Sequence, residues 1–560
     1  MNTTTDRRFK RTTLATAAAL ALGLGSGAQA EPISTGNPDL EMRWDNTVRY
    51  NVGVRMEGIN PVFSNLPGFD ETEGRFKKHD LVTNRVDLLS EVDLVYKGKF
   101  GARVSAAAWA DGAYGKHSRR NPALPVAGAY INDTYNGYAK RYSVGPSGEI
   151  LDAFLFGTFD LDGIGLSVKA GQHNVYWGES LYSATNSIAY SQSGIDTLKS
   201  ATSPGSEAKE LFLPRKQISG TMQLNDQLSF GAQYALSWKP FRLVPGGTFF
   251  AGSDGARSDF ASNSPGFNLP NGPDLVPDSG RGDLGLMVRW SPSWLGGTAA
   301  FVYRKFDEKL PWAFTQLRRG ATVAPTAVRL NFARDTELYG ISLSQTIKTV
   351  SVGAEISYRK NTALNSVSGF TVLPADNANP TYAEAEGARG DTLHALVNGV
   401  YLLPDIGLWM GGTLQGEVNY SRLLDVNSNP GRFFGEGYGC PANLDKTDGC
   451  STKSAVGMNV AFNPQWPQAI AGWDITAPVT LAYQLKGNGA ALGGGNEDAM
   501  AWSVGLVGLR YSRYEFTVKY ADVKTRYKTN PANGLFSTAN GGNAVQNDHG
   551  TLFMTFKTTF

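Results

Sequence analysis

The chain has 560 residues, of which 41% are hydrophobic, 11% aromatic and only 18% charged, with 65 glycines and a formal charge of +2. Abundant aromatics and small net charge exclude a disordered chain. The missing basic excess argues against nucleic acid as a partner, and two cysteines exclude a disulfide-rich scaffold and a four-cysteine zinc site.

Residues 1–30 read as a secretory signal. Arg7, Arg8, Lys10 and Arg11 form a basic start, an apolar run follows from Leu14 to Leu24, and Ala28-Gln29-Ala30 is a small-x-small cleavage site. The mature chain, 31–560, then keeps 48 bases and 49 acids, so bulk charge does not select its partners. Beyond Ala30 no apolar run reaches eighteen residues, so a membrane-spanning helix is not expected.

The first mature segment alternates strictly. Leu40, Met42, Trp44, Val48, Tyr50, Val52, Val54 and Met56 share one phase; Glu41, Arg43, Asp45, Thr47, Arg49, Asn51 and Arg55 share the other. This is a strand with one apolar and one polar face. The pattern recurs at 228–239, 350–359 and 408–420. Strands are expected near 40–56, 84–96, 99–111, 150–161, 164–175, 216–225, 227–239, 283–290, 297–306, 335–346, 350–361, 391–403, 407–421, 454–463, 475–486, 500–512, 514–523 and 549–560. Their connections alternate. Tight turns such as Lys97-Gly98 and Asp162-Gly163 alternate with long segments such as 112–149, 176–215 and 240–282. Eighteen strands, short turns on one side and long loops on the other describe an all-β, transmembrane antiparallel barrel of a Gram-negative outer membrane, with termini in the periplasm. Only a closed barrel satisfies every strand edge in lipid. The last strand ends on Phe560, in phase with Leu552, Met554 and Phe556. This resembles the terminal signal read by the barrel assembly machinery.

If the apolar phase meets lipid, the polar phase lines the lumen. Its acids include Glu41, Asp45, Asp87, Glu91, Asp93, Asp111, Glu355, Glu417 and Glu515; its bases include Arg43, Arg49, Arg55, Arg103, Lys169, Arg289, Arg304, Arg359, Lys519 and Lys557. The balance predicts weak ion selectivity, and most of these residues read as a lattice of wall ion pairs. Only about nine residues precede the first strand, too few for a folded plug, so any constriction must come from the long loops.

Five histidines occur. His394, and His173 with it, fall in the lumen phase; they read as hydrogen-bonded wall residues, and a hydrolase using either is the lesser alternative. No nucleophile elbow, phosphate-binding loop or metalloprotease helix occurs, so no catalytic residue, metal or cofactor is expected. Asp160-Leu161-Asp162-Gly163 reads as a hairpin turn rather than a calcium loop. Cys440 and Cys450 share one loop, and the exported context favours a disulfide over a reactive thiol pair. Arg119-Arg120 and Arg318-Arg319 either contact lipopolysaccharide phosphates or are simply solvated.

One segment is dense in unusual residues: Gly171-Gln172-His173-Asn174-Val175-Tyr176-Trp177-Gly178-Glu179-Ser180. Glu207-Ala208-Lys209-Glu210-Leu211-Phe212-Leu213-Pro214, Trp238-Lys239-Pro240, Pro245-Gly246-Gly247-Thr248-Phe249-Phe250 and Gly472-Trp473-Asp474 follow. With the signal segment these resemble the domain of unknown function 1302 family of proteobacterial outer-membrane proteins, over nearly all of 31–560. The resemblance implies an outer-membrane barrel associated with systems handling lipids or other hydrophobic compounds, and supplies no catalytic residues. Trp177, Glu179, Lys209 and Glu210 share the connection 176–215. That loop either folds into the lumen against Arg43, Arg49, Glu91, Asp93, Arg103 and His394, or packs externally. The expected function is passage of small hydrophobic or amphipathic solutes by loop-restricted diffusion. The alternative is the outer end of a lipid export system, docking a periplasmic partner through 291–296, 464–474 and the N-terminal segment.

Overall fold

The computed structural model describes residues 33–560, apart from residues 265, 279–281, 319–321, 368 and 375–378. The signal segment 1–30 and Arg319 lie outside the described residues. Eighteen strands close into one antiparallel barrel. They are β1 (Leu40–Arg55), β2 (Leu81–Tyr96), β3 (Phe100–Asp111), β4 (Ser147–Leu161), β5 (Ile164–His173) and β6 (Arg215–Gln223). Next come β7 (Leu228–Ala235), β8 (Leu284–Trp290), β9 (Gly297–Phe306), β10 (Thr336–Ile347), β11 (Val350–Ala363) and β12 (Arg389–Leu402). The last are β13 (Gly411–Ser428), β14 (Ser454–Ile470), β15 (Trp473–Thr476 and Val479–Lys486), β16 (Met500–Arg510), β17 (Tyr514–Lys524) and β18 (Thr551–Thr559). β15 is interrupted at Ala477-Pro478, where proline cannot donate to the ladder.

Each strand pairs with its sequence neighbours, and β18 closes onto β1 with Arg49 opposite Lys557 and Gly53 opposite Phe553. Phe560 completes the seam: its N–H donates to the Asn46 carbonyl at 2.9 Å and its carbonyl accepts the Asn46 N–H at 2.8 Å. Lys97-Gly98 and Asp162-Gly163 are tight turns where the sequence places them, whereas the β12–β13 connection is longer than expected, 403–410, and β14 continues through Pro464 to Ile470, a stretch expected as a connection. At Asp162-Gly163 both residues have positive φ, 52° and 87°, which suits the two-residue hairpin twist that glycine favours.

Period-2 alternation sorts the wall. Trp44, Leu155, Leu286, Phe301, Val397 and Val504 stand exposed on the outer face, which is the belt that hydrocarbon requires. A depression of about 900 Å³ among Phe230, Leu286, Phe301, Tyr339, Ile341 and Ile356 lies on that outer belt. The inward phase is polar, and much of it is buried: Arg49, Arg55, Arg304 and Arg359 are at most 1% exposed. Side chains that would line a wet pore are therefore covered, and the long connections cover them.

Candidate functional site: a strap across the lumen

The connection between β5 and β6, residues 174–214, turns inward and spans the lumen. Two wall carboxylates hold its first half. Glu355 on β11 accepts the N–H groups of Glu179, of Ser180 at 3.0 Å and of Ile188 at 2.6 Å. Glu417 on β13 accepts those of Leu181, Tyr182 and Ser183 at 2.7, 3.2 and 2.6 Å, and the Ser180 hydroxyl. These N–H groups lie in irregular backbone and have no ladder to join, so a carboxylate satisfies three donors at once with charge-assisted bonds. Opposite polarity comes from the guanidiniums. Arg304 donates to the carbonyls of Ile188 and Tyr190 at 2.7 and 2.8 Å, and Arg359 to that of Ser187 at 3.0 Å. The Arg359 guanidinium lies 4.0 Å from the centre of the Tyr190 ring. Asn398 donates to the Glu179 carbonyl at 2.7 Å, and His394 Nδ1 stands 2.8 Å from Asn186 Oδ1.

The second half is fastened to β1, β2 and β18. A short helix, Thr197–Thr202, is capped by Asp196, which accepts the Lys199 N–H. A second, Ala208–Leu211, carries a capping box between Glu207 and Glu210. The Ser203 hydroxyl donates to Asp87 at 2.8 Å. Glu210 receives Arg49 at 2.7 Å and Lys199 at 2.8 Å, all three buried. Burial by itself would raise the Glu210 carboxyl, but the bond from Arg49 and the charge of Lys199 lower it to about 2. Lys209 bonds Glu91 at 2.6 Å, Arg103 reaches Glu91 and Asp93 at 3.5 and 3.0 Å, and Lys557 bonds Glu207 at 3.1 Å.

An apolar contact fixes the strap between these feet. Trp177 packs on the wall where β7 and β8 carry Gly231 and Gly285. A Cβ at Gly285 would stand 2.7 Å from its ring, so glycine is what admits the indole. Trp177, Ile188, Tyr190, Val302, Phe306 and Leu338 form one buried cluster inside the barrel.

Other loops roof the long-loop mouth. Asp254 accepts the N–H groups of Glu71 and Thr72 at 3.0 and 2.7 Å, capping the helix Asp70–Gly74. Its burial, then the charges of Glu71 and Asp70, push the Asp254 carboxyl up to about 8. Phe249 stacks on His549 with ring centres 4.2 Å apart, and Phe250 on Phe553 at 6.3 Å. Cys440 and Cys450 form a disulfide.

The expected site residues divide. Trp177, Glu210, Lys209, Arg49, Glu91, Asp93, Arg103 and His394 join the strap network directly or through one partner. Glu179 joins through its backbone, and its carboxylate takes part in no ion pair among the described residues. Arg43 stands apart: it is exposed, and its cross-strand partner Asp93 is held by Arg103. The strongest anchors, Glu355, Glu417, Arg304 and Arg359, share a phase with every other polar wall residue. The alternation marks them as inward but does not mark them as anchors. A strand His–Ser pair does form, which the sequence leaves undetected: His173 Nε2 lies 2.8 Å from Ser219 Oγ, and Nδ1 lies 3.1 Å from the Gly171 carbonyl. Among the described residues no cluster of three histidines, cysteines or acids is arranged to hold a metal.

The family described as Protein of unknown function (DUF1302) matches residues 11–560. No curated protein matches the sequence. Solved structures that resemble the chain include Acinetobacter baumannii OccAB4, with 11% identity and TM-score 0.41, covering 94% of this chain and 100% of that one. A BenF-like porin from Pseudomonas fluorescens Pf-5 has 10% identity, TM-score 0.41 and coverages of 93% and 98%. Pseudomonas aeruginosa OpdK with vanillate has 8% identity, TM-score 0.39 and coverages of 93% and 98%. At these TM-scores the likenesses carry no argument about what this barrel conducts.

Proposed function

We propose, for a chain that belongs to the DUF1302 family, that it is an outer-membrane channel in which the strap 174–214 narrows the lumen and small amphipathic solutes diffuse past it. One observation supports this reading above others: the strap is hydrogen-bonded to facing walls, through Glu355 and Glu417 on one side and Arg49, Asp87 and Glu91 on the other. A loop of that kind sets the bore of a wide barrel without a plug domain. Passage needs neither a cofactor nor ATP. Delivery would rest on the signal segment and on the Phe560 strand offered to the assembly machinery, and Arg119 would face lipopolysaccharide phosphates. The test is single-channel conductance of folded protein in planar bilayers, beside a variant lacking 181–205. Small discrete steps that enlarge on deletion support the channel. Silence from both folded proteins overturns it.

A second reading, docking of a periplasmic partner, is favoured by the short-turn end. The turn 403–410 is joined to the end of β14 by the Met410 N–H donating to the Gln465 carbonyl, and Ile406, Leu408 and Ile470 stand more than half exposed there. Cross-linking from these positions in intact cells separates the readings.

A further inference from the structure

The strap is fastened unevenly. Its hydrogen bonds and ion pairs reach β1, β2, β7, β9, β11, β12, β13, β14 and β18. Among the described residues none reaches β3, β4, β8, β10 or β15–β17; of these, β8 and β10 meet the strap's apolar side at Gly285 and Gly340, and β3 and β4 carry Trp109 and Leu151 under the Tyr142 loop, which leaves β15–β17. Lys519 stands on that uncovered wall. Register places it between Gly505 on β16 and Phe553 on β18, in the inward phase. Its stem lies over the glycine, since a Cβ at Gly505 would stand 3.3 Å from the Lys519 Cβ. Strap lysines 199 and 209 and wall lysine 557 each have a carboxylate partner. Lys519, partly buried, has no hydrogen-bond or ion-pair partner among the described residues. Glu515 shares its face but lies four residues nearer the short-turn end, and Lys557 is occupied by Glu207.

We propose that the path left by the strap runs along β15–β17 and that Lys519 selects solutes carrying an anionic group on a short apolar body. This rests on the channel reading. A partly desolvated ammonium without a counter-ion gains from any anion that reaches it. The inward residues beside it, Gly505 opposite and Ala521 two positions along the strand, are small enough to leave room and carry no side-chain polar group. A carboxylate at Lys519 with a short alkyl body against Gly505 and Ala521 satisfies both features.

The experiment uses the full chain with Ala521→Cys, two residues from Lys519 on the same face. The native cysteines are tied to each other, so the introduced thiol reacts alone. Reaction rates are compared for an anionic and a cationic methanethiosulfonate of similar size, with and without Lys519→Gln, after heat-modifiability on gels confirms folding. The anionic reagent is expected to react severalfold faster, relative to free cysteine, and Lys519→Gln removes that preference. Octanoate should slow the reaction only while Lys519 is present, and octanol should not. An unreactive Ala521→Cys, or a preference indifferent to Lys519→Gln, overturns the proposal. Neither readout needs ion current, so silence in bilayers removes the channel reading alone.

Discussion

The Glu417 carboxylate accepts the Ser183 N–H at 2.6 Å although 234 residues separate the two in sequence. Each charge-assisted bond of this kind contributes about 1.5–3 kcal/mol, and Glu417 makes several. Glu417→Gln keeps the size but turns one acceptor into a donor aimed at N–H groups. The strap's first half should loosen, and single-channel conductance should rise severalfold with the barrel intact. Unchanged steps would mean the strap does not set the bore.

Arg49 and Glu210 test the other foot. Arg49→Ala leaves Glu210 buried with only Lys199, a loss of about 3–5 kcal/mol for a broken buried pair. Thermal unfolding should shift downward, and protease should cut within 197–211. Adding Glu210→Ala should recover part of the loss, because the stranded charge goes with it. A double variant as weak as the sum of the singles would show that the pair is not coupled.

Acid should open the strap. Glu210 is held near 2 against an ordinary 4.5, so its contribution is complete above 4.5 and disappears as pH falls toward 2. Conductance should rise over that window. In Glu210→Gln the rise should be absent, and a persistent rise would assign it to another group.

Asp254 has the opposite sign. Its carboxyl is raised from 3.8 to about 8, so the folded roof binds a proton that the unfolded chain gives up. Stability of the loop roof should fall as pH climbs from 4 to 8. Hydrogen exchange of residues 70–74 at both pH values measures this, and Asp254→Asn should flatten the difference.

The disulfide closes a short loop between β13 and β14. Cys440→Ser with Cys450→Ser should cost about 2–3 kcal/mol in local loop stability, seen as faster proteolysis of 430–453. Conductance should stay at the wild-type value. A changed conductance would place this loop in the path.

The sequence by itself determined the barrel. Side-chain direction in a strand has period two, so alternation from Leu40 to Arg55, recurring at 228–239, 350–359 and 408–420, states which face meets lipid and which meets the lumen. Turn chemistry at Asp162-Gly163 and the Phe560 strand fixed the hairpins and the closing edge. The same alternation made Glu355, Glu417 and Lys519 inward without distinguishing them. Anchor, anchor and unpaired cation are roles that depend on what a loop places opposite each residue. Loop backbone has no periodicity, and its course is settled by which carboxylates and guanidiniums satisfy its N–H and carbonyl groups across more than a hundred residues of chain. His173 and Ser219 meet for a related reason, through a register between β5 and β6 that neither strand encodes alone. Only the tertiary structure therefore decided that 174–214 crosses the lumen, and that β15–β17 is the wall it leaves free.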